Sequence, residues 1–356
     1  MGHAVGDDFI IGQDDPILVT GAAGFIGSRL VQNLLDRGFR NIRCFSRSSR
    51  KAHRFEIMAS QHPGAHVEVV TGNLLSREDC NAAAKDVAVV YHLAAGRGEK
   101  SFPDAYMNSV VTTRNLLEAC AQQKRLKRFV NISSFAVYAN EQNPNGSFLD
   151  ESCPVERRPE IRGEAYCFAK VKQDEIVSEF GRKFGIPYVI VRPGVVYGPG
   201  NESITGRVGI DSFGIFLHLG GSNRIPFTYV DNCVEAISLA GLKTGAEGNV
   251  FNVVDDDLPS SREFLRMYKK NVRGFNSIYL PHAVSFALCY LWEKYVIWSE
   301  GQLPNAFNRS RWYSNWKKMR YSNEKLKKVL GWAPVVSTTE GFKRHFEALR
   351  HGGASA

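Results

Sequence analysis

The chain has 356 residues, 44% of them hydrophobic and 23% charged, the proportions of an ordinary globular protein with enough length for one or two lobes around a large core. A formal charge of +9 would suit a polyanionic partner, but the cations are dispersed and no DNA- or RNA-binding motif accompanies them, which argues against nucleic acid. Seven scattered cysteines with no Cys-x-x-Cys, and nine histidines with no His-Glu-x-x-His, argue against a disulfide framework and a metal site and fit a reducing compartment.

The opening stretch lacks a basic region followed by a long apolar run, so it reads as no secretory leader and the expected location is cytoplasmic. "PILVT", residues 16 to 20, is short, apolar and β-rich, a buried parallel strand. Gly21, Gly24 and Gly27 follow at once, then Phe25, Ile26, Leu30, Leu34 and Leu35 at helical spacing. A strand, a glycine turn and a helix start together make a pyrophosphate site, because glycines let the backbone come close and the helix end supplies unpaired N–H groups and a positive dipole. The next strand, "IRCFS", ends at Ser46 and Arg47, with Ser48, Ser49, Arg50 and Lys51 behind. An acid there would bind the ribose hydroxyls of NAD, whereas a cation suits the 2′-phosphate of NADP, so NADP is expected over NAD.

The alternation continues through "AHVEVVTGNLL", "DVAVVYHLAA", "NLLEACAQQ" and "RFVNISSFAVY", a long helix from about 163 to 183, and "IPYVIVRP". Strands separated by helices predict a parallel sheet covered on both faces, with ligands at the carboxyl ends of its strands. Beyond 194 glycines become frequent and the pattern loosens, which predicts a sheet domain over 14–193 and a smaller substrate lobe over 194–350, interleaved with the sheet. The segment "AVSFALCYLW", 283 to 292, is about half a membrane span and reads as a buried or lid helix. The run "NRSRWYSNWKKMRYSNEKLKK" reads as a solvated basic face.

Tyr166 and Lys170 are four apart, about one helical turn, and so share a helix face. Tyr290/Lys294, Tyr313/Lys317 and Tyr321/Lys325 have the same spacing, so context must choose among them. Ser133 and Ser134 end the strand "RFVNI", where such a sheet places its site, and Tyr166 lies on the following helix.

"TGAAGFIG", "HLAA", "SSFAVY", "YCFAK", "RPGVVYGPG", "FTYVDN" and "KVLGWAP" occur in an order that resembles the extended short-chain dehydrogenase/reductase family over nearly the whole chain. The resemblance implies an α/β fold, a Rossmann-type doubly wound parallel sheet with a smaller C-terminal substrate-binding lobe. It implies hydride transfer between a secondary alcohol or ketone and a nicotinamide cofactor, with Tyr166 as acid/base, Lys170 as its activator and ribose ligand, and Ser134 as the donor orienting the substrate oxygen. Ser133 would satisfy backbone groups. A free tyrosine, with a pKa of about 10, is a poor base at neutral pH, and a nearby ammonium favours the phenolate. The implied cofactor set is Gly21, Ala23, Gly24, Phe25, Ile26, Gly27, Ser46, Arg47, Asn73, Leu74, Leu93, Ala94, Ala95, Tyr166, Lys170, Pro193 and Val196. Many relatives pair through two long helices, which makes a homodimer an expectation.

Within the family, 4,6-dehydratases carry an Asp-Glu pair after the serine, where this chain has Phe135 and Ala136. Nucleotide-sugar epimerases place an Asn before "VYGP" and an Arg-Asp before "YVDD", both for the substrate diphosphate; here stand Val195 and "IPF", 225 to 227. "PFTYVDNCVEAISLA" and the apolar segment near 283 resemble the 3β-hydroxysteroid and sterol-carboxylate dehydrogenases. The expected reaction is therefore oxidation or reduction of a small, largely apolar or glycosylated molecule. A 4-epimerase holding its cofactor tightly is the alternative, and a non-catalytic cofactor sensor the remote one. The substrate pocket is expected to be lined by Val195, Phe135 and residues 283 to 297, with Arg192, Arg207 and Arg224 as substitute phosphate ligands. Asn73 replaces an Asp near the adenine, and Ala139 a Gly after "VY". Residues 139 to 163 read as a surface loop at the site's mouth.

Overall fold

The computed structural model describes residues 8–95, 101–201, 204–212, 214–300, 302 and 307–352. Its centre is a seven-stranded parallel sheet: β1 (Ile17–Thr20), β2 (Asn41–Ser46), β3 (His66–Thr71), β4 (Val89–His92), β5 (Arg128–Ile132), β6 (Tyr188–Pro193) and β7 (Val250–Val253). The order across the sheet is β7-β6-β5-β4-β1-β2-β3. The chain winds outward from β1 in one direction and then, from β4, in the other. The gap between those directions, at the carboxyl ends of β1 and β4, is where such a sheet opens a ligand crevice.

The central strands are buried along their length and mostly apolar because both of their faces are covered, with Thr20, His92, Arg128, Asn131 and Arg192 as the buried polar exceptions. Ile17 and Val19 pack toward one layer, where α1 (Phe25–Asp36) contributes Leu30 and Leu34. Leu18, Val90, Phe129 and Ile190 pack toward the other, against Leu116 of α2 (Thr112–Cys120) and Val177 of α3 (Ala165–Phe184). On the α1 side the second half of the chain returns as α4 (Val230–Leu242), whose Cys233 and Ile237 join the same core. The seventh strand, "VFNV", also comes from beyond residue 194 and pairs with β6 from Val250↔Ile190 to Val253↔Pro193.

Above the carboxyl ends lies a second, aromatic core of Tyr197, Phe227, Tyr229, Phe264, Phe342 and Phe346. Tyr197 stacks on Phe342 at 4.3 Å between centroids. Strands 195–197 and 227–229 run parallel beneath it, and a three-stranded sheet of 209–212, 215–218 and 277–279 supports α5 (His282–Trp298). α6 (Arg309–Trp316) packs on α5 through Trp312, whose indole donates to Ser285 Oγ at 2.9 Å. The basic run is not simply a solvated face, because Trp312, Ser314, Trp316 and Leu326 are all buried. No described helix is long and apolar enough to cross a membrane.

Candidate active site

A cleft of about 780 Å³ runs along the carboxyl ends of the strands, and every residue named above for cofactor or catalysis lines it. At one end β1 turns into α1. Gly21 has φ +68° and lies so close to the β4 exit that a side chain would meet the Ala94 amide at 2.9 Å. Gly24 N–H donates to Gly21 O at 3.0 Å, and a side chain on Gly27 would overlap that same oxygen. Gly24 is the N-cap of α1 and offers no side chain to it, so the first-turn amides stay available. This cradle fits a dinucleotide pyrophosphate.

Beyond β2 the wall is Ser46, Arg47, Ser48 and Arg50, without an acid. Neither arginine makes an ion pair among the described residues. Asn73 lines the adjoining wall, but its side-chain oxygen accepts from Leu75 N at 3.0 Å and its own amide donates to Asp79. It is therefore held partly as a turn residue.

At the other end, Ser134 follows β5, Tyr166 opens α3 and Lys170 lies one turn further along. Lys170 is 5% exposed and donates to Ile132 O at 2.7 Å, which anchors its ammonium beneath the cleft; Tyr166 is 46% exposed. Ser134 Oγ accepts from Ala136 N at 3.1 Å, leaving its hydroxyl proton for another acceptor. Of the other Tyr/Lys spacings, Lys294 lies over the Tyr290 ring and Lys317 over the Tyr313 ring, while Lys325 lies over Phe251; none lines the cleft.

Ser133 departs from expectation. Its hydroxyl donates to Asp174 Oδ2 at 2.9 Å, in a buried group where Arg192 also binds Asp174, at 3.0 Å. Burial holds the Asp174 carboxyl above its usual range, against the pull of Arg192. Arg192 is thus committed to the scaffold and lies over the Tyr138 ring at 5.0 Å.

Beneath Ala94 a chain of hydrogen bonds fixes the β4 exit. Ala94 N–H donates to Thr20 Oγ1, and Thr20 contacts His92 Nδ1 at 2.9 Å. His92 Nε2 contacts Thr113 Oγ1 at 2.8 Å, and Thr113 donates to Ser109 O at 2.6 Å. Because the Thr113 proton is already used, His92 must donate from Nε2, and with burial keeping the ring neutral its Nδ1 accepts from Thr20. Burial first, and Lys170 second, lower the His92 pKa to about 3.

Sequence reasoning missed Asn108 and Thr112, which also line the cleft. Asn108 belongs to a π-helical segment, Tyr106–Val111, that leads into α2 at Thr112, and such wide turns recur at functional sites. Nothing in the local sequence marks them, because Ser109, Thr113, Arg114, Asn115 and Glu118 stand in the same polar and apolar mixture.

A second cavity of about 510 Å³ adjoins the first and shares Ser134, Tyr166, Gly194, Val195 and Thr205 with it. Val195 and Phe135 line it as expected, but no described residue of 283 to 297 does. Arg162, Glu164, Arg207, Arg311 and Asn315 line it instead. α5 borders a separate apolar groove with Leu217, Leu219 and Trp316, because it packs behind the three-stranded sheet. Arg224 lies elsewhere, bonded to Leu258 O. The loop 139–163 is tied down where Lys317 Nζ donates to the carbonyls of Asn140, Glu141 and Asn143 at 2.5 to 2.9 Å, and it ends at the cavity mouth in Arg162.

The sequence matches the NAD dependent epimerase/dehydratase family over residues 17–253. A sterol-4-alpha-carboxylate 3-dehydrogenase, decarboxylating, of Mus musculus is 24% identical over 353 residues, 94% of this chain and 90% of that one. A 3 beta-hydroxysteroid dehydrogenase/Delta 5-->4-isomerase of Mycobacterium tuberculosis is 29% identical over 259 residues, 70% of this chain and 66% of that one. Among solved structures, a UDP-glucuronic acid 4-epimerase of Bacillus cereus in complex with NAD superposes with a TM-score of 0.70 at 23% identity, covering 94% of this chain and 99% of that one.

Proposed function

From the premise that the chain belongs to the NAD dependent epimerase/dehydratase family, we propose that it is an oxidoreductase interconverting a secondary alcohol and a ketone on a small molecule. The observation that carries this is the meeting of Ser134, Tyr166 and Lys170 at the end of a cleft whose other end is the glycine cradle. A bound nicotinamide cofactor supplies or accepts the hydride. The pyrophosphate is held by the first-turn amides of Phe25, Ile26 and Gly27, and the ribose near the nicotinamide by Tyr166 and Lys170. Ser134 donates to the substrate oxygen, and the Tyr166 phenol gives or takes its proton. Phe135 and Val195 exclude water from the reacting carbon. The acid-free end of β2, with Arg47 and Arg50, supports NADP over NAD, although the solved relative above carries NAD.

One observation favours a second reading. Arg207 lies in the substrate cavity, as a 4-epimerase acting on a nucleotide-sugar would need in place of the diphosphate ligands absent at Val195 and 225–227. The two readings separate on net turnover. Purified protein given NADP and a panel of hydroxysteroids and other secondary alcohols should change absorbance at 340 nm stoichiometrically with product. Conversion of a UDP-sugar with no net absorbance change would replace dehydrogenation by epimerisation.

A further inference from the structure

α5 keeps apolar side chains on the faces that the rest of the protein leaves open. Of its 17 residues only Ser285, Cys289 and Val296 are buried. Val284, Leu288, Leu291, Tyr295 and Trp298, at steps of three and four, make one stripe along the helix and are 45 to 76% exposed. Lys294 is the one charge among the exposed positions of α5, and it lies over the Tyr290 ring. Glu293 turns aside to pair with Arg309 at 3.0 Å. The apolar surface extends past the helix, because Ile278, 52% exposed, pairs in register with Leu217 of the groove and so shares its face. Exposed apolar surface on this scale marks contact with a partner or a membrane.

The charge around this face decides between them. Residues 259–320 hold eleven Lys and Arg against three Glu, so this stretch carries +8 of the chain's net +9. Lys269 donates to Ser277 Oγ at 2.7 Å and Arg262 lies over the Tyr279 ring at 5.3 Å, on either side of Ile278. A second copy of the chain would cover the apolar stripe but bring two such basic stretches together, and like charges across an interface repel. A membrane surface with anionic headgroups matches both features. Its hydrocarbon takes the stripe, its phosphates attract the cations, and Tyr and Trp favour the boundary between the two.

We infer that α5, with Ile278 beside it, is a docking surface for an anionic lipid bilayer, on which the helix lies in the plane of the interface rather than crossing it. The inference is independent of the oxidoreductase reading, since no residue of the catalytic cleft takes part. The test is flotation of the full chain with vesicles of phosphatidylcholine alone, or of phosphatidylcholine and phosphatidylglycerol in equal parts. The expected result is binding to the mixed vesicles, about tenfold weaker binding to phosphatidylcholine, and release as salt rises from roughly 0.1 to 0.5 M. Leu291→Asp and Trp298→Asp should each weaken binding about tenfold or more, because a charge then enters the apolar stripe. Ile57→Asp, at an exposed apolar position on the helix Ala52–Ser60, should leave it unchanged. Arg262→Gln combined with Lys294→Gln should narrow the difference between the two vesicle types. Should Leu291→Asp fail to fold, as judged by its thermal transition, Trp298→Asp carries the same expectation. Flotation that is absent, equal on both vesicle types, or indifferent to both aspartates overturns the inference. A dimer in sedimentation equilibrium that Leu291→Asp dissociates, in a protein that does not float, gives the face to a second copy instead.

Discussion

Tyr166 and Lys170 do different work from one helix face. Lys170 is buried and tethered to Ile132 O, whereas Tyr166 projects into the cleft. Tyr166→Phe removes the phenolic hydroxyl and leaves Lys170 to hold the ribose, so NADP affinity should stay nearly intact while turnover falls roughly a hundredfold, the usual scale for a lost general acid/base. Lys170→Ala should impair both, because its ammonium also contacts the cofactor ribose in the proposed arrangement. Stopped-flow turnover alongside calorimetry checks this, and a fully active Tyr166→Phe would remove Tyr166 from the chemistry. Arg47 is exposed at the cleft edge with no described carboxylate to pair with, so its charge is available to a 2′-phosphate. Arg47→Asp should invert the preference from NADP to NAD. Equal calorimetric affinities for the two cofactors in the unmodified protein would refute the assignment.

At the scale of elements, His92 joins four of them: β1 through Thr20, β4 on which it stands, and, through Thr113, both α2 and the π segment at Ser109. Gln173 of α3 also donates to Thr113, at 2.7 Å. Burial, with Lys170 nearby, keeps this imidazole neutral. With the folded pKa lowered to about 3 and the ordinary value at 6.5, the unfolded chain binds the extra proton first as pH falls. The stability His92 contributes is therefore complete above pH 6.5 and is lost progressively between 6.5 and about 3. Thermal melts across that window should show a shallower pH dependence for His92→Gln than for the unmodified chain, and parallel curves would contradict the assignment. α5 was expected to wall the substrate pocket because it is apolar, yet Leu291 and Trp298 are 61% and 76% exposed. Hydrophobicity marked the element without saying what it faces.

At the scale of the molecule, the sheet is completed by the second half of the chain. β7 covers the edge of β6, Arg128 donates to the carbonyls of Ala240 and Lys243, and Tyr91 OH donates to Ser238 O. Arg29 and Arg37 of α1 pair with Asp231 and Glu235 of α4. A fragment ending at residue 193 would leave β6 as an open edge and uncover the apolar face on which Ile237 and Val234 pack. It should show no cooperative unfolding transition by circular dichroism. A sharp transition close to that of the full chain would mean that residues 14–193 fold by themselves.

What the sequence determined alone was local and periodic. The strand–glycine–helix unit is contiguous, so its dihedral demands at Gly21 and its close approach at Gly27 are written in adjacent residues. Central strands buried on both faces read as short, mostly apolar runs, which made "PILVT" and "YVIVRP" readable. Ser134, Tyr166 and Lys170 were legible because four residues make about one helical turn, which puts Tyr166 and Lys170 on one face, and because Ser134 follows a strand at the sheet's carboxyl end. Tertiary structure decided everything that depends on distant segments meeting. "VFNV" is too short to announce itself, and becomes a sheet strand only because β6 offers it an unpaired edge. Arg162, Arg207 and Arg311 come from a four-residue helix, a turn and a longer helix, and nothing local distinguished them from Arg192 or Arg224. Only folding buried one with Asp174, left one on Leu258, and brought the other three to the wall of one cavity. The charge of that wall is a sum over segments far apart in the chain, and no short window of sequence contains it.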